Sequence, residues 1–441
     1  MVAPHELERA VGVEAYASRT PGIGGRLRAA PADFRVVERE DFDAEPLDAS
    51  PDAYPWLVLR VTLEGVDTNE FARTLSNAAG ISRERVSWAG TKDANAVSTQ
   101  LFTVRGLAPA DVPEVRPDAV EIEIVGRAGR GIHLGDLLGN EFEIVVRDVE
   151  HPERIDDISA ELEEFAGGRP GFPNFFGQQR FGSYRPVTHE VGLAILRRDW
   201  EGAAMAYLGA PSAHEPEDSR RAREFVTETR DWQTALERFP NRLRYERAML
   251  HSLVDTGGDA PEDFRAALDT FPENLQRLFV HAAQSLVFNR ILSERLSRDL
   301  PFAEPVVGDV VCFADRDAPE DIPLPDPDRT QVATEDRLDV LARHCRRERA
   351  FVTAPLPGTE TALSDEVPGE IARAVLDDLE LDTADFDLPE PYGSAGTRRA
   401  ILVPVSPTID REPITFSFTL PKGAYATAFL REYVKGSPLD L

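Results

Sequence analysis

The chain has 441 residues, 42% hydrophobic and 29% charged, with 78 Asp and Glu against 49 Lys and Arg. That length can bury sizeable cores and points to two or three domains, and the apolar content argues against disorder. A net charge of −29 argues against a nucleic-acid partner, but only Lys92, Lys422 and Lys435 are lysines. An acid surplus without lysine reads as adaptation to concentrated salt, where a Debye length of ~3 Å at 1 M largely erases global repulsion of an anion.

From Leu27 to about Asp148, strand-like stretches alternate with helices. "YPWLVLRVTLEG" and "EFEIVVRDVE" carry the β-branched content of strands. Between them "DTNEFARTLSNAAG" predicts a helix capped by Asp67 or Thr68, with Phe71 and Leu75 on one face and Gly80 as its stop. A second region, from about Gly171, predicts a helix over Thr188–Trp200, a charged helical segment near Ser219–Arg238, and a long helix from about Glu273 to Arg298. In the last of these, Leu275, Leu278, Phe279, Ala282 and Leu286 recur at helical spacing. "RDAPEDIPLPDPDRT" (Arg316–Thr330), rich in Pro and Asp, predicts an exposed loop. "ITFSFTLPKGAYATAFLREYV" returns to a strand, a turn and a helix, as if the end of the chain rejoined the first domain.

Several functions are excluded by spacing. "AGTKD" fails as a phosphate loop because Thr91 separates Gly90 from Lys92, and fails as a guanine-specificity loop because Lys92 and Asp93 are adjacent. "GRAGRG" (Gly126–Gly131) is followed by no amphipathic helix, so it reads as a glycine-rich turn carrying Arg127 and Arg130. The histidines are scattered, no Gly-x-Ser-x-Gly elbow occurs, and Cys312 and Cys345 lack partners at zinc spacing. No nucleotide cofactor or structural zinc is expected from these spacings. No apolar run approaches the roughly 18 residues of a membrane span, and "MVAPHELERAVGVEAY" lacks a secretory pattern, so the expected compartment is the cytoplasm.

Two segments keep chemical interest. In "WAGTKDANAVSTQ" (Trp88–Gln100), Gly90 and Asn95 can take positive φ, and flanking strands at Val86–Trp88 and Val97–Val104 would hold Asp93 rigidly, as a working carboxylate needs. An Asp bonded to its own turn is the plainer reading. "NFFGQQRFG" (Asn174–Gly182) combines groups that stack on bases with groups that read edges or phosphates, although a core turn explains it equally well.

Taken together with "RLRAAPADFRVVE" (Arg26–Glu38), "LGDLLGNEF" (Leu134–Phe142), "AAQSLVFNRILSERL" (Ala282–Leu296) and "LPKGAYATAFLRE" (Leu420–Glu432), these segments stand in the order seen in TruD-type tRNA pseudouridine synthases. The sequence resembles that family from about Gly24 to about Lys435. The resemblance implies an α+β fold: a catalytic domain of residues 1–168 and 397–441, with a mixed, largely antiparallel sheet flanked by helices, and an inserted α/β domain of residues 169–396. It implies an isomerase converting uridine to pseudouridine in tRNA with no metal or organic cofactor, and position 13 as the expected target; a monomer is the expected state.

Matched residue by residue, Asp93 takes the place of the family's essential aspartate, as nucleophile or general base. Arg28 takes that of its ion-pair partner. Asn140 and Phe142 match pocket residues, Phe142 to stack on the flipped uracil and Asn140 to hydrogen-bond near it. Lys92, Phe34, Asn174, Phe176, Gln179, Arg180 and Phe181 are expected to bind substrate. Tyr425 and Arg431 fall beside the active-site sheet without an assigned role. The sequence departs from the family in "GRAGRGIHLG", where a more basic stretch is usual, and in a long insertion carrying the acidic Arg316–Thr330 stretch. A relative that grips tRNA without modifying it is the second reading; the set Asp93, Asn140 and Phe142 favours the enzyme.

Overall fold

The structure, a computed structural model, describes residues 3–92, 94–116, 118–182, 185–319 and 321–441. The candidate carboxylate Asp93 lies outside the described residues.

Six strands of the first third are β1 (Phe34–Glu40), β2 (Trp56–Glu64), β3 (Val86–Trp88), β4 (Val97–Arg105), β5 (Val120–Ala128) and β6 (Leu137–Val145). They join two late strands, Thr408–Arg411 and Ile414–Pro421, in one eight-stranded sheet. Its order is Thr408–Arg411, Ile414–Pro421, β6, β1, β4, β2, β5, with β3 added to β4. Only the β1–β4 pairing is parallel. The sheet is therefore mixed and largely antiparallel, as expected. The chain's end does rejoin its beginning: Leu420 lies opposite Asn140 and Phe418 opposite Phe142.

The helix at Thr68–Ala78 follows its local signals. The Asp67 side chain accepts from the Glu70 amide at 2.9 Å, Phe71 and Leu75 are buried, and Gly80 takes φ +63° beyond the end. The long helix Glu273–Ser297 also forms where its apolar spacing predicts. Two expected helices are instead interrupted. Thr188–Trp200 stops at Leu196; Arg198 is left-handed, and the Asp199 side chain accepts from the Gly202 amide at 2.8 Å, starting a new helix at Trp200. Ser219–Arg238 divides in the same way, into Glu217–Thr229 and Trp232–Arg238, with Arg230 left-handed and Asp231 capping the second helix. A capping carboxylate outweighs continuous helical composition at both sites.

The expected loop Arg316–Thr330 is corrected in its second half, where Pro325–Val332 forms a strand against Val310–Ala314. It stands at the edge of a four-stranded sheet with Ala350–Leu356 and Thr397–Ala400, and an edge tolerates Pro325 and Pro327 because one row of N–H groups faces away from the ladder. The Gly126–Gly131 turn is likewise shorter than expected, since β5 runs through Ala128. Arg127 there donates to the Leu47 carbonyl at 3.1 Å and Arg130 pairs with Asp136.

Apolar packing is continuous from the β1–β6 face, through Phe34, Ile144 and Phe418, to the Glu273–Ser297 helix at Phe288 and Leu292. A Cβ on Gly192 would overlap the Phe279 carbonyl, so this glycine sets the close crossing of Thr188–Leu196 on that helix. These contacts fix the walls of the cleft described next.

Candidate active site

A cleft of about 340 Å³ opens where β1, β6, the loop before Asp93 and the turn after Ile414–Pro421 converge. Arg28, Phe34, Lys92, Asn140, Phe142 and Gln179 all line it, together with Tyr425 and Thr427. Residues more than 300 positions apart thus meet because β6 pairs with both β1 and the last long strand.

The aromatic floor is layered. Phe142 stacks on Phe418, with ring centroids 5.4 Å apart and planes 28° apart, and meets the edge of Phe34 at 6.0 Å. The Arg28 guanidinium lies 4.2 Å from the Phe34 ring centroid, and Arg28 itself holds a left-handed φ of 54°. A side chain fixed in that sparsely populated backbone region is held by its surroundings, which suits a group that must point into a pocket.

The loop Gly90–Lys92 is fastened from three sides. The Lys92 amide donates to Thr68 Oγ1 at 2.8 Å and its carbonyl accepts from the Thr68 amide at 3.2 Å. Gln100 Nε2 donates to the Gly90 carbonyl at 2.9 Å. Lys92 Nζ forms an ion pair with Glu38 Oε1, and these side chains are 14% and 0% exposed. Glu38 sits opposite Asn140 on the neighbouring strand. Gly90 serves close approach rather than positive φ, because a Cβ there would overlap Glu38 Oε1. Neither Glu38 Oε2 nor Asn140 Oδ1 has a partner among the described residues, although both atoms are buried. Asn140 lines the cleft, so a ligand or water there can supply its missing donor.

The segment Asn174–Gly182 divides its residues among different jobs. Gln179 reaches the cleft. Phe176 is buried beneath it, with its amide on Asn289 Oδ1 at 2.8 Å and the Arg399 guanidinium 4.1 Å from its ring. Asn174 is buried in the junction: it donates to the Ala400 carbonyl at 2.8 Å and accepts from Arg399. Arg180 donates to Ser285 Oγ at 3.2 Å. Phe181 does not reach the cleft, being 0% exposed with its ring edge-on to His189. Arg431 is also withdrawn, buried between Glu8 and Glu432.

Sequence reading missed Glu38, Thr68, Gln100, Phe418 and Arg399. The signal for Glu38 was present in strand alternation: Phe34, Val36 and Glu38 share a face, so a carboxylate at the third position of an apolar face needs a partner. Nothing local marks Gln100 or Arg399, whose partners are distant in sequence.

Among the described residues there is no group of three His, Cys, Asp or Glu side chains that could hold a metal ion, and no helix is long and apolar enough to cross a membrane.

Comparison with known proteins agrees with this geometry. The family model of tRNA pseudouridine synthase D (TruD) matches residues 10–433. The chain is 63% identical over 437 residues to the Halobacterium salinarum protein named "Probable tRNA pseudouridine synthase D", covering 99% of each chain. It is 56% identical over 436 residues to the protein of the same name from Natronomonas pharaonis, covering 98% of each. Its fold superposes on the crystal structure of a Methanosarcina mazei chain described as tRNA pseudouridine synthase D with a TM-score of 0.83 at 36% identity, covering 99% of this chain and 100% of that one. The chain belongs to the tRNA pseudouridine synthase D (TruD) family.

Proposed function

We propose that this protein isomerises uridine to pseudouridine in tRNA, with position 13 as its target, acting as a monomer in the cytoplasm. The observation that carries the reading is the convergence of a cationic wall and an aromatic floor on the loop that leads into Asp93. In the same reading, residues 1–168 and 397–441 form the catalytic domain and residues 169–396 the insertion.

The target nucleotide leaves its stack at a cost of a few kcal/mol, offset by stacking and hydrogen bonds in the cleft. Phe142, braced from behind by Phe418, offers the uracil a ring face. Asn140 offers an amide to its polar edge. Asp93 attacks or deprotonates next to the sugar, and Arg28 keeps it ionised by its positive charge; where Asp93 attacks, its bond to the nucleotide breaks again as the product forms and the carboxylate is regenerated. The bond from C1′ to N1 breaks, the base turns, C5 bonds to C1′, and the hydrogen on C5 leaves as a proton while N1 gains one. Atoms balance without a co-reactant. Lys92, held on Glu38, sets the course of the backbone into Asp93.

A tRNA transcript labelled with tritium at uridine C5 tests this in molar KCl. Wild type is expected to release tritium. Asp93→Asn is expected to bind the transcript and release none, since the amide is near-isosteric but neither nucleophile nor base. Binding without release by wild type would leave a tRNA-gripping protein in place of an enzyme.

A further inference from the structure

Beside the cleft lies a second one of about 210 Å³, reached across Ala424, which lines both. Arg398, Arg399 and Lys422 line it. None of the three pairs with a carboxylate among the described residues, and neither does Arg180, whose guanidinium lies 5.7 Å from the Phe176 ring that Arg399 meets at 4.1 Å. The two acids flanking its Pro323–Pro325 wall are engaged elsewhere, Asp321 with Arg39 at 3.2 Å and Asp326 with Arg329 at 3.9 Å.

This is an unusual place for uncompensated positive charge. The protein carries 78 acidic residues, so a carboxylate neighbour is easy to find, and the buried Arg223, Arg295 and Arg431 each have one. Here burial instead lowers the pKa of Arg180 and of Arg398, and it brings that of Arg399 down to about 10. Desolvated cations are retained at a cost unless an anion completes them. Their hydrogen bonds within the protein do not supply that charge, and Asp309, whose field reaches Arg398, is bound bidentately by Arg295 at 2.8 Å. Arg399 donates to the carbonyls of Asn174 at 3.3 Å and Gly423 at 2.8 Å, and Arg398 to Thr353 Oγ1 at 2.9 Å.

Lys422 adds the accessible charge. Of the three lysines, Lys92 is held by Glu38, and Lys435 by the carbonyls of Ser18 and Thr20 at 2.8 and 2.6 Å. Lys422 is exposed, and no partner among the described residues holds its ammonium. Its backbone is anchored all the same: the Lys422 amide donates to the Leu138 carbonyl at 2.8 Å, and Arg399 grips the Gly423 carbonyl. An anchored turn therefore presents the Lys422 ammonium at the second cleft.

We propose that this second cleft is an anion subsite that takes a backbone phosphate of the RNA next to the target nucleotide, with Lys422 as its direct contact and the Arg398–Arg399 pair as its buried positive ground. This rests on the assignment of tRNA as substrate. Phosphate contacts set register without reading sequence, which is what a site adjoining a flipped base requires.

Arg399 is built into the junction, so Lys422 is the clean probe. Equilibrium binding of a tRNA transcript across a KCl series is measured for wild type, K422A, K422E and K422R, with tritium release by wild type recorded in parallel. K422A is expected to raise Kd roughly three- to tenfold and to reduce the slope of log affinity against log salt by about 0.7 to 1. K422E is expected to weaken binding further and K422R to restore it. A wild-type Kd and slope in both K422A and K422E overturns the subsite, and so does a K422R as weak as K422A. If wild type binds but releases no tritium, the enzymatic reading fails, whereas the binding series still decides the subsite.

Discussion

Glu38 and Lys92 show how one residue pair changes the meaning of a motif. Lys92 invites a role in RNA contact, yet its ammonium is committed to a carboxylate with no exposure at all. Removing one member of such a buried pair typically costs about 3–5 kcal/mol, because the other charge is stranded. Glu38→Gln is therefore expected to lower stability by a few kcal/mol and to reduce kcat about 10- to 100-fold, since a small displacement of a reacting group costs that much. Adding Lys92→Met is expected to restore stability and leave kcat low. Thermal unfolding and single-turnover tritium release measure the two effects separately. Recovery of kcat together with stability in the double variant would show that the pair supports folding alone. Arg28, Asn140 and Phe142 were legible by resemblance; Glu38 was not, because its importance lies in a partner 54 positions away.

Helix Thr188–Leu196 presents a different balance, between packing and protonation. His189 on its first turn is buried against Phe181, and burial, with the nearby Arg290 charge, pushes its pKa down to about 4. Its Nδ1 has no partner among the described residues. The folded state thus holds this imidazole neutral, whereas the unfolded chain protonates near pH 6.5. Stability is complete above pH 6.5 and declines as pH falls toward 4, by about 3 kcal/mol at most from this group. His189→Gln is expected to flatten that part of the pH profile of denaturant unfolding; parallel profiles for the two proteins would assign the acid sensitivity elsewhere. Elements of this kind were partly legible. Apolar spacing located Glu273–Ser297, but Asp199 and Asp231 restart helices where composition alone runs on. Edge position, a property of the whole sheet, turned a Pro-rich stretch into the strand Pro325–Val332.

At the scale of the molecule, a net charge of −29 dominates. Raising the Debye length from ~3 Å at 1 M salt to ~10 Å at 0.1 M restores repulsion among surface carboxylates. The melting temperature is expected to rise with KCl toward molar concentration, and a flat dependence measured by calorimetry would remove salt adaptation as the reason for the acid surplus. The second cleft escapes this surplus locally, because Arg398, Arg399 and Lys422 line it and have no carboxylate partner among the described residues.

The sequence by itself determined the elements whose signals are local: the Asp67 cap, the stop at Gly80, the strands flanking Trp88–Gln100, and the ordered motifs of the family. Tertiary structure alone decided which of those residues meet. The pairing of β6 with both β1 and Ile414–Pro421 brings Phe418 behind Phe142 and places Lys422 at the rim. It also consigned Phe181 and Arg431 to the interior. Register and charge pairing join residues hundreds of positions apart, and no local propensity encodes such a contact.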